Sequence, residues 1–294
     1  MLKLKYWIFL FASPCVYALT PCNVTINTDS NPGGMGNNGE LRYCLNLMNQ
    51  VLNNVPDDFA IIFNSPMTIQ LNGILPIINN SSNPVNITIG NPGPVSTVTI
   101  DGNGAYSGFF IPMGNVTIQN MNFQNLTAKG GNGGDGISGG GGGMGAGGAI
   151  YTPQSFLNGS NPSVTLMNVS INNCSAVGGN GGNYFSLSSP SGNEGGGGGG
   201  GLSGNGGSVT TTGSTGGAGG GGFGGNGGDV TLSINDPFGG GGGGGGGLGS
   251  RATLGTLTNL GNGGSDQDVG GDGNGYGLSI APGTGQGGAG GGSN

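Results

Sequence analysis

Short apolar runs of about four or five residues recur through the first half of the chain, and turn residues separate them. They are Ala60–Phe63, Thr68–Leu71, Ile74–Ile78, Val85–Ile89, Thr97–Ile100 and Gly108–Ile111, rich in Ile and Val. Such runs read as short strands. The most informative stretch is Asn115–Gly134, NVTIQNMNFQNLTAKGGNGG, because Ser163–Gly182 returns it as SVTLMNVSINNCSAVGGNGG. Within each copy the apolar parity changes partway. Val116 and Ile118 share one parity while Met121 and Phe123 take the other, as do Val164 and Leu166 against Val169 and Ile171. Strand side chains alternate with period two, so one straight strand cannot bury both pairs on the same side. A corner at Asn120 and at Asn168 restores the parity. Asn tolerates left-handed backbone angles, and its amide can bond the local backbone. Ile69 and Leu71 before Asn72-Gly73, and Val98 and Ile100 before Asp101-Gly102, repeat the arrangement. The pattern predicts an all-β fold, a short right-handed parallel β-helix over residues 59–182. Asn72-Gly73 is the one candidate hairpin, and it keeps a β-sandwich as the competing architecture.

Ahead of the strands, Glu40–Val51 places Leu41, Cys44, Leu45 and Met48 at helical spacing. With a short strand at Asn23–Ile26, this predicts an N-terminal helical cap over residues 19–58. An open coil end exposes unpaired backbone and apolar core, so it needs such a cover. Residues 1–18 read as a signal peptide: Lys3 and Lys5, an apolar centre at Tyr6–Ala12, and Val16-Tyr17-Ala18 as the cleavage site. Pro14 beside Cys15 departs from a lipoprotein signal.

Composition changes the picture after Lys129. Of 77 glycines, 66 fall in the 165 residues Gly130–Asn294. Strand-like pieces thin out to Ala149–Thr152, Ser208–Thr211 and Val230–Ile234. Residues 183–294 are therefore expected to be a glycine-rich, low-complexity and partly disordered region with a few short strands. Its blocks, such as Gly195–Gly201 and Gly239–Gly247, are read as long flexible loops rather than as an ordered polyglycine bundle.

Without the leader the cations are Arg42, Lys129 and Arg251 against twelve acids, a net charge of −9. Three scattered cations give no footprint for nucleic acid or for an anionic membrane. No run after Ala18 is long and apolar enough to span a bilayer as a helix. Cys22, Cys44 and Cys174 remain. A Cys22–Cys44 disulfide that pins the first segment and three unpaired thiols both fit the sequence.

Candidate chemistry is sparse. There is no His. A glycan-cleaving site needs a carboxylate pair, or calcium with a basic proton acceptor. Asp57-Asp58 and Asp101 sit where turns call for Asp, and Lys129 has no neighbouring acid. Asp266, Asp268 and Asp272 form the densest acidic cluster, in a stretch that lacks the spacing of a calcium-binding glycine-aspartate repeat. The glycine tracts lack the Lys and the strand–loop–helix setting of a phosphate-binding loop. Sequons at Asn23, Asn86, Asn115, Asn125 and Asn168 follow from Asn corners beside Thr-rich strands. No residue is assigned a catalytic, cofactor-binding or metal-ligating role. No cofactor is expected, and the chain is read as a non-enzyme.

The leader, the GELRYCLNLMN helix at Gly39–Asn49, the ITI and VTI strands with Asp-Gly or Asn corners, and Gly147-Gly148-Ala149-Ile150 together carry a resemblance. The chain resembles the passenger part of chlamydial polymorphic outer-membrane proteins, and more broadly the right-handed β-helix passengers of autotransporters, over roughly Gly39–Gly182. The resemblance implies a secreted or bacterial cell-surface (outer-membrane) protein, adhesin-like in display or binding. Its partners would be host or cell-surface proteins or glycans. Those families end in an outer-membrane barrel, and no such alternation follows Gly182. The expectations are a short or truncated relative, a passenger without its own translocator, or a chain sharing only the fold. A carbohydrate-active β-helix enzyme (a polysaccharide lyase or hydrolase) is the alternative. A third reading, an ice- or wall-binding face, needs regular Thr spacing, which Thr88, Thr99, Thr117 and Thr165 do not show in sequence.

Overall fold

The computed structural model describes residues 19–32, 34–52, 58–78, 86–93, 98–136, 139–153, 162–184, 197, 199–208 and 226–227. The strands are β1 (Leu19–Val24), β2 (Asp58–Phe63), β3 (Met67–Gln70), β4 (Asn86–Ile89), β5 (Val98–Asp101) and β6 (Phe109–Phe110). They continue with β7 (Asn115–Gln124), β8 (Thr127–Lys129), β9 (Ile150–Tyr151), β10 (Ser163–Asn172) and β11 (Ser175–Val177); the helix α1 is Leu41–Leu52. Every ladder among these residues is parallel. No antiparallel pairing forms at Asn72-Gly73, and the sandwich falls with it.

The main sheet is built on β7. Its first half pairs with β4, and through β4 with β2 and β1, while its second half pairs with β5 and through β5 with β3. Strand β10 lies along the whole of β7 from Ser163 on Asn115 to Asn172 on Gln124. The sheet therefore bends where β7 and β10 bend, at Asn120 and Asn168, with φ of 53° and 51°. Past the bend the buried parity shifts as the sequence requires: Val116, Ile118, Met121 and Phe123 are all buried. A second corner follows at Asn125 and Asn173, both with φ of 50°. The corner amides stack. Asn168 Nδ2 donates to Asn120 Oδ1 at 2.7 Å, and Asn173 Nδ2 donates to Asn125 Oδ1 at 2.7 Å. Each amide thus satisfies the corner of its neighbour as well as tolerating its own backbone.

The result is a curled parallel sheet whose concave side holds the core. Phe59, Ile87 and Val116 form one file, Ile61, Ile89 and Ile118 a second, and Ile69, Ile100 and Phe123 a third. The Phe109 ring meets Phe123 edge-on at 5.6 Å. Each such side chain contributes roughly 1.5–3 kcal/mol by leaving water. At β10 the core opens. Leu166 and Ile171, the counterparts of Ile118 and Phe123, are 47% and 50% exposed.

One predicted strand moves and another does not form. The first strand is Leu19–Val24 rather than Asn23–Ile26, because it pairs with β2, while the N–H groups of Thr25 and Ile26 turn to the Gly39 carbonyl. Ile74–Ile78 forms no strand, although Leu75 and Ile78 are buried and Ile78 N–H donates to Phe110 O at 2.9 Å. The predicted strand Val230–Ile234, most of Ser208–Thr211 and the leader 1–18 lie outside the described residues.

The cap is α1. Leu41, Cys44, Leu45 and Met48 are buried as the helical spacing requires, and Cys22 is bonded to Cys44 across a sequence separation of 22. Closing a loop of that length stabilises by about 3 kcal/mol in the chain-entropy account. Arg42 and Asp29 form a buried pair at 2.6 Å. The Arg42 guanidinium also donates to the Gly73 and Ile74 carbonyls, which ties the cap to the chain after β3. Glu40 is fully buried. Burial raises its pKa, but hydrogen bonds from the Thr28 hydroxyl, the Asn37 N–H, the Ser30 hydroxyl and the Ser30 N–H outweigh it and bring it from the usual 4.5 to about 2. A depressed folded-state value means the stabilisation is complete above pH 4.5 and is lost as pH falls toward 2. Wild type is expected to lose about 3 kcal/mol over that window. Glu40→Gln, already lacking the carboxylate, loses less. Thermal melts of both proteins from pH 6 to pH 2 check this; a gap between them that stays constant with pH contradicts it.

The glycine segments depart most from expectation. Gly130, Gly133 and Gly136 donate their N–H groups to Val177, Asn180 and Asn183 at 2.8, 2.8 and 3.1 Å. Gly140 and Gly143 return, antiparallel, to the carbonyls of Gly134 and Gly131. One bond every third residue is the period of an extended threefold helix. Residues 199–207 join them through Gly131 N–H to Gly201 O and Gly206 N–H to Asn132 O. The described glycine stretches are thus packed backbone against backbone. The reading of Gly195–Gly201 as a flexible loop is corrected for Gly197 and Gly199–Gly201; Gly239–Gly247 lies outside the described residues.

Candidate ligand-binding groove

Strand periodicity that turns Ile and Val inward turns Thr, Asn and Gln outward, and parallel register lines them up. On β3, β5, β7 and β10 the outward residues are Thr68, Thr99, Asn122 and Ser170, one per strand in register. Asn122 Nδ2 donates to Thr99 Oγ1 at 3.4 Å and Ser170 Oγ donates to Asn122 Oδ1 at 2.6 Å. Two residues on, Gln70, Asp101, Gln124 and Asn172 form a parallel file. Across the Asn120 corner, Thr88, Thr117 and Thr165 form another. Their irregular spacing in sequence is the unequal length of the connecting turns, so a regular Thr file does exist, without Thr99.

At the β3 end of the first file the surface is concave. Thr25, Ile26 and Asn27 form one side, Ser65, Pro66, Met67 and Thr68 the floor, and Thr99 and Asn122 the extension over β5 and β7. The groove has a volume of about 810 Å³ and lies mostly open to solvent, so a ligand there would rest on the surface rather than be enclosed as in the usual small-molecule pocket. None of its lining residues is charged. Sequence reasoning missed it, because Thr25–Asn27 and Thr99 are brought together only by the path of the cap. The apolar residues beside hydroxyls in NSPMT (Asn64–Thr68) were the only local sign.

None of the described titratable residues weighed from sequence lines the groove. Burial raises the Asp101 pKa, but the Asn103 N–H, the Gln124 amide and the Asn125 amide donate to its carboxylate and the net shift is downward. It is a corner brace that stays ionised. Asp58 accepts from the N–H and side-chain amide of Asn86 at 3.0 and 3.3 Å. Lys129 is exposed beside Val177 on the β8–β11 pair. Cys174 is a half-buried free thiol at the core edge, in line with buried Leu126. Asp57, Asp266, Asp268 and Asp272 lie outside the described residues. Among the described residues no helix is long and apolar enough to cross a membrane.

No protein-family model, curated protein or solved structure matches the chain.

Proposed function

We propose that this chain is an exported, non-catalytic surface protein that displays or binds through side-chain files on a right-handed parallel β-helix. In this reading the curled sheet supplies two walls, and the β6–β9 and β8–β11 pairs belong to the remaining one. The chain is held at or near a bacterial outer surface like an autotransporter passenger, and its partners are host or cell-surface proteins or glycans. The observation that carries the proposal is the in-register row Thr68, Thr99, Asn122, Ser170 beside an uncharged groove, while the nearby carboxylate, Asp101, is committed to three corner hydrogen bonds. A carboxylate so engaged is a poor proton acceptor for glycan cleavage.

The test is turnover. Purified chain incubated with acidic and neutral polysaccharides, with and without calcium, is expected to bind target surfaces and release no new reducing ends or unsaturated products. Turnover that Asp101→Asn abolishes while the fold persists would replace this reading with the enzyme.

A further inference from the structure

Resting on the binding reading above, the chemistry of the groove points, we infer, to one ligand class: a neutral, hydroxyl-rich glycan lying across β3, β5 and β7. Three observations carry it. First, the lining offers hydroxyls and amides, from Thr25, Asn27, Ser65, Thr68, Thr99 and Asn122, that both donate and accept. A sugar hydroxyl presents the same dual character, whereas a carboxylate or sulfate accepts only. Second, among the described residues no cation is at hand for an acidic glycan. Arg42 is buried on Asp29 and Lys129 lies on the β8–β11 pair. Ligands with phosphate or carboxylate groups ordinarily recruit Arg or Lys. Third, Ile26 is 40% exposed and stands with Pro66 and Met67 in the same groove. Together they give an aliphatic patch against which the C–H face of a sugar ring can lose water.

A peptide is the rival ligand, because β3 is an edge strand and an extended peptide can add to an edge. That mode reads the backbone of β3. Thr99 and Asn122 stand on β5 and β7, one and two strands inward of that edge, and present side chains only. The lining therefore favours side-chain recognition of a chain laid across the strands.

The purified chain is titrated with neutral oligosaccharide panels (gluco-, manno- and N-acetylglucosamine oligomers), acidic ones (polygalacturonate, heparin fragments) and a random extended-peptide pool. The expected result is binding to at least one neutral series, insensitive to salt. Thr99→Val weakens it about tenfold, the scale of one lost neutral hydrogen bond. Thr68→Val, at the sheet edge, weakens it in the same direction, and Lys129→Gln leaves it unchanged. Melting temperatures confirm that each variant is folded. Preference for acidic glycans, binding of the peptide pool alone, or no binding to any panel overturns the inference. Neutral-glycan binding that ignores Thr99→Val but falls with Thr117→Val also overturns it, yet leaves the display reading standing on the other file. Conversely, cleavage of a bound glycan dismisses the display reading and keeps the groove.

Discussion

Ile118→Asp is expected to leave the chain unfolded at room temperature, whereas Leu166→Asp, its counterpart one strand along, leaves it folded. The two positions are in register on β7 and β10 and carry equivalent side chains. They differ in cover. Ile118 is fully buried between Ile89 and Leu166, while Leu166 is 47% exposed. An unpaired carboxylate at Ile118 would find no polar partner in a file of Ile and Leu. A buried charge without a partner, together with the lost apolar side chain, costs more than about 4 kcal/mol. That is comparable to the total stability of a domain, about 5–15 kcal/mol. At Leu166 the carboxylate can reach water, and the cost drops to about 1 kcal/mol. Val164, whose repeat counterpart Val116 is buried, would be equally sensitive by the repeat, but it is only half-buried and so belongs with Leu166. Circular dichroism and thermal melts of the two variants decide the matter. If Ile118→Asp melts within a few degrees of wild type, the apolar files are not what holds the sheet together.

The parity change at Asn120 and Asn168 was readable because corner and core are both written in side chains. Two apolar pairs out of phase can share one side only if the backbone turns, and the observed φ values supply the turn. The second corner, at Asn125 and Asn173, carries the same residue at the same offset of the repeat. It stayed hidden because Leu126 and Cys174 follow at once, without a long alternating run to reveal a phase shift. The helix was equally legible, since its buried positions follow helical spacing. The repeat aligns Asn120 with Asn168, whereas Thr88 lies outside it, so no repeat in the sequence sets the register of Thr88 on Thr117. The groove needs more still, because its sides come from the cap and from three strands. The described glycine segments depart from the loop reading for a physical reason. A stretch without side chains has no apolar surface to bury, which ordinarily means a flexible linker. Here the backbone amides bond one another instead, and the missing Cβ atoms permit that approach.

That packing makes the second large prediction. Gly134→Ala and Gly181→Ala are the same chemical change in two neighbouring threefold segments, and they are expected to act with opposite sign. A Cβ on Gly134 would run into the Gly207 carbonyl, and the Gly134 carbonyl is itself approached by Gly182 and Gly197 and accepts the Gly140 N–H. The atoms in the way are backbone, so no rotamer change relieves them. The segments have to separate, and the cost is about 3 kcal/mol, the upper part of the overpacking range. At Gly181 the nearest atom to a new Cβ is 3.6 Å away, an ordinary contact. Neither residue has a positive φ, so Ala fits both backbones. Ala also restricts the unfolded chain, which stabilises by about 0.4–1 kcal/mol where the folded geometry accepts it. Gly181→Ala is therefore neutral to slightly stabilising. Hydrogen exchange provides the local readout. In Gly134→Ala the N–H groups of Gly140, Gly182 and Gly206, each bonded within the glycine layer, exchange faster by two orders of magnitude or so, as a loss of about 3 kcal/mol requires. In Gly181→Ala they keep wild-type rates. Equal protection in the two variants would mean that the glycines are not packed against one another, and that the segments behave as the loops their composition suggests.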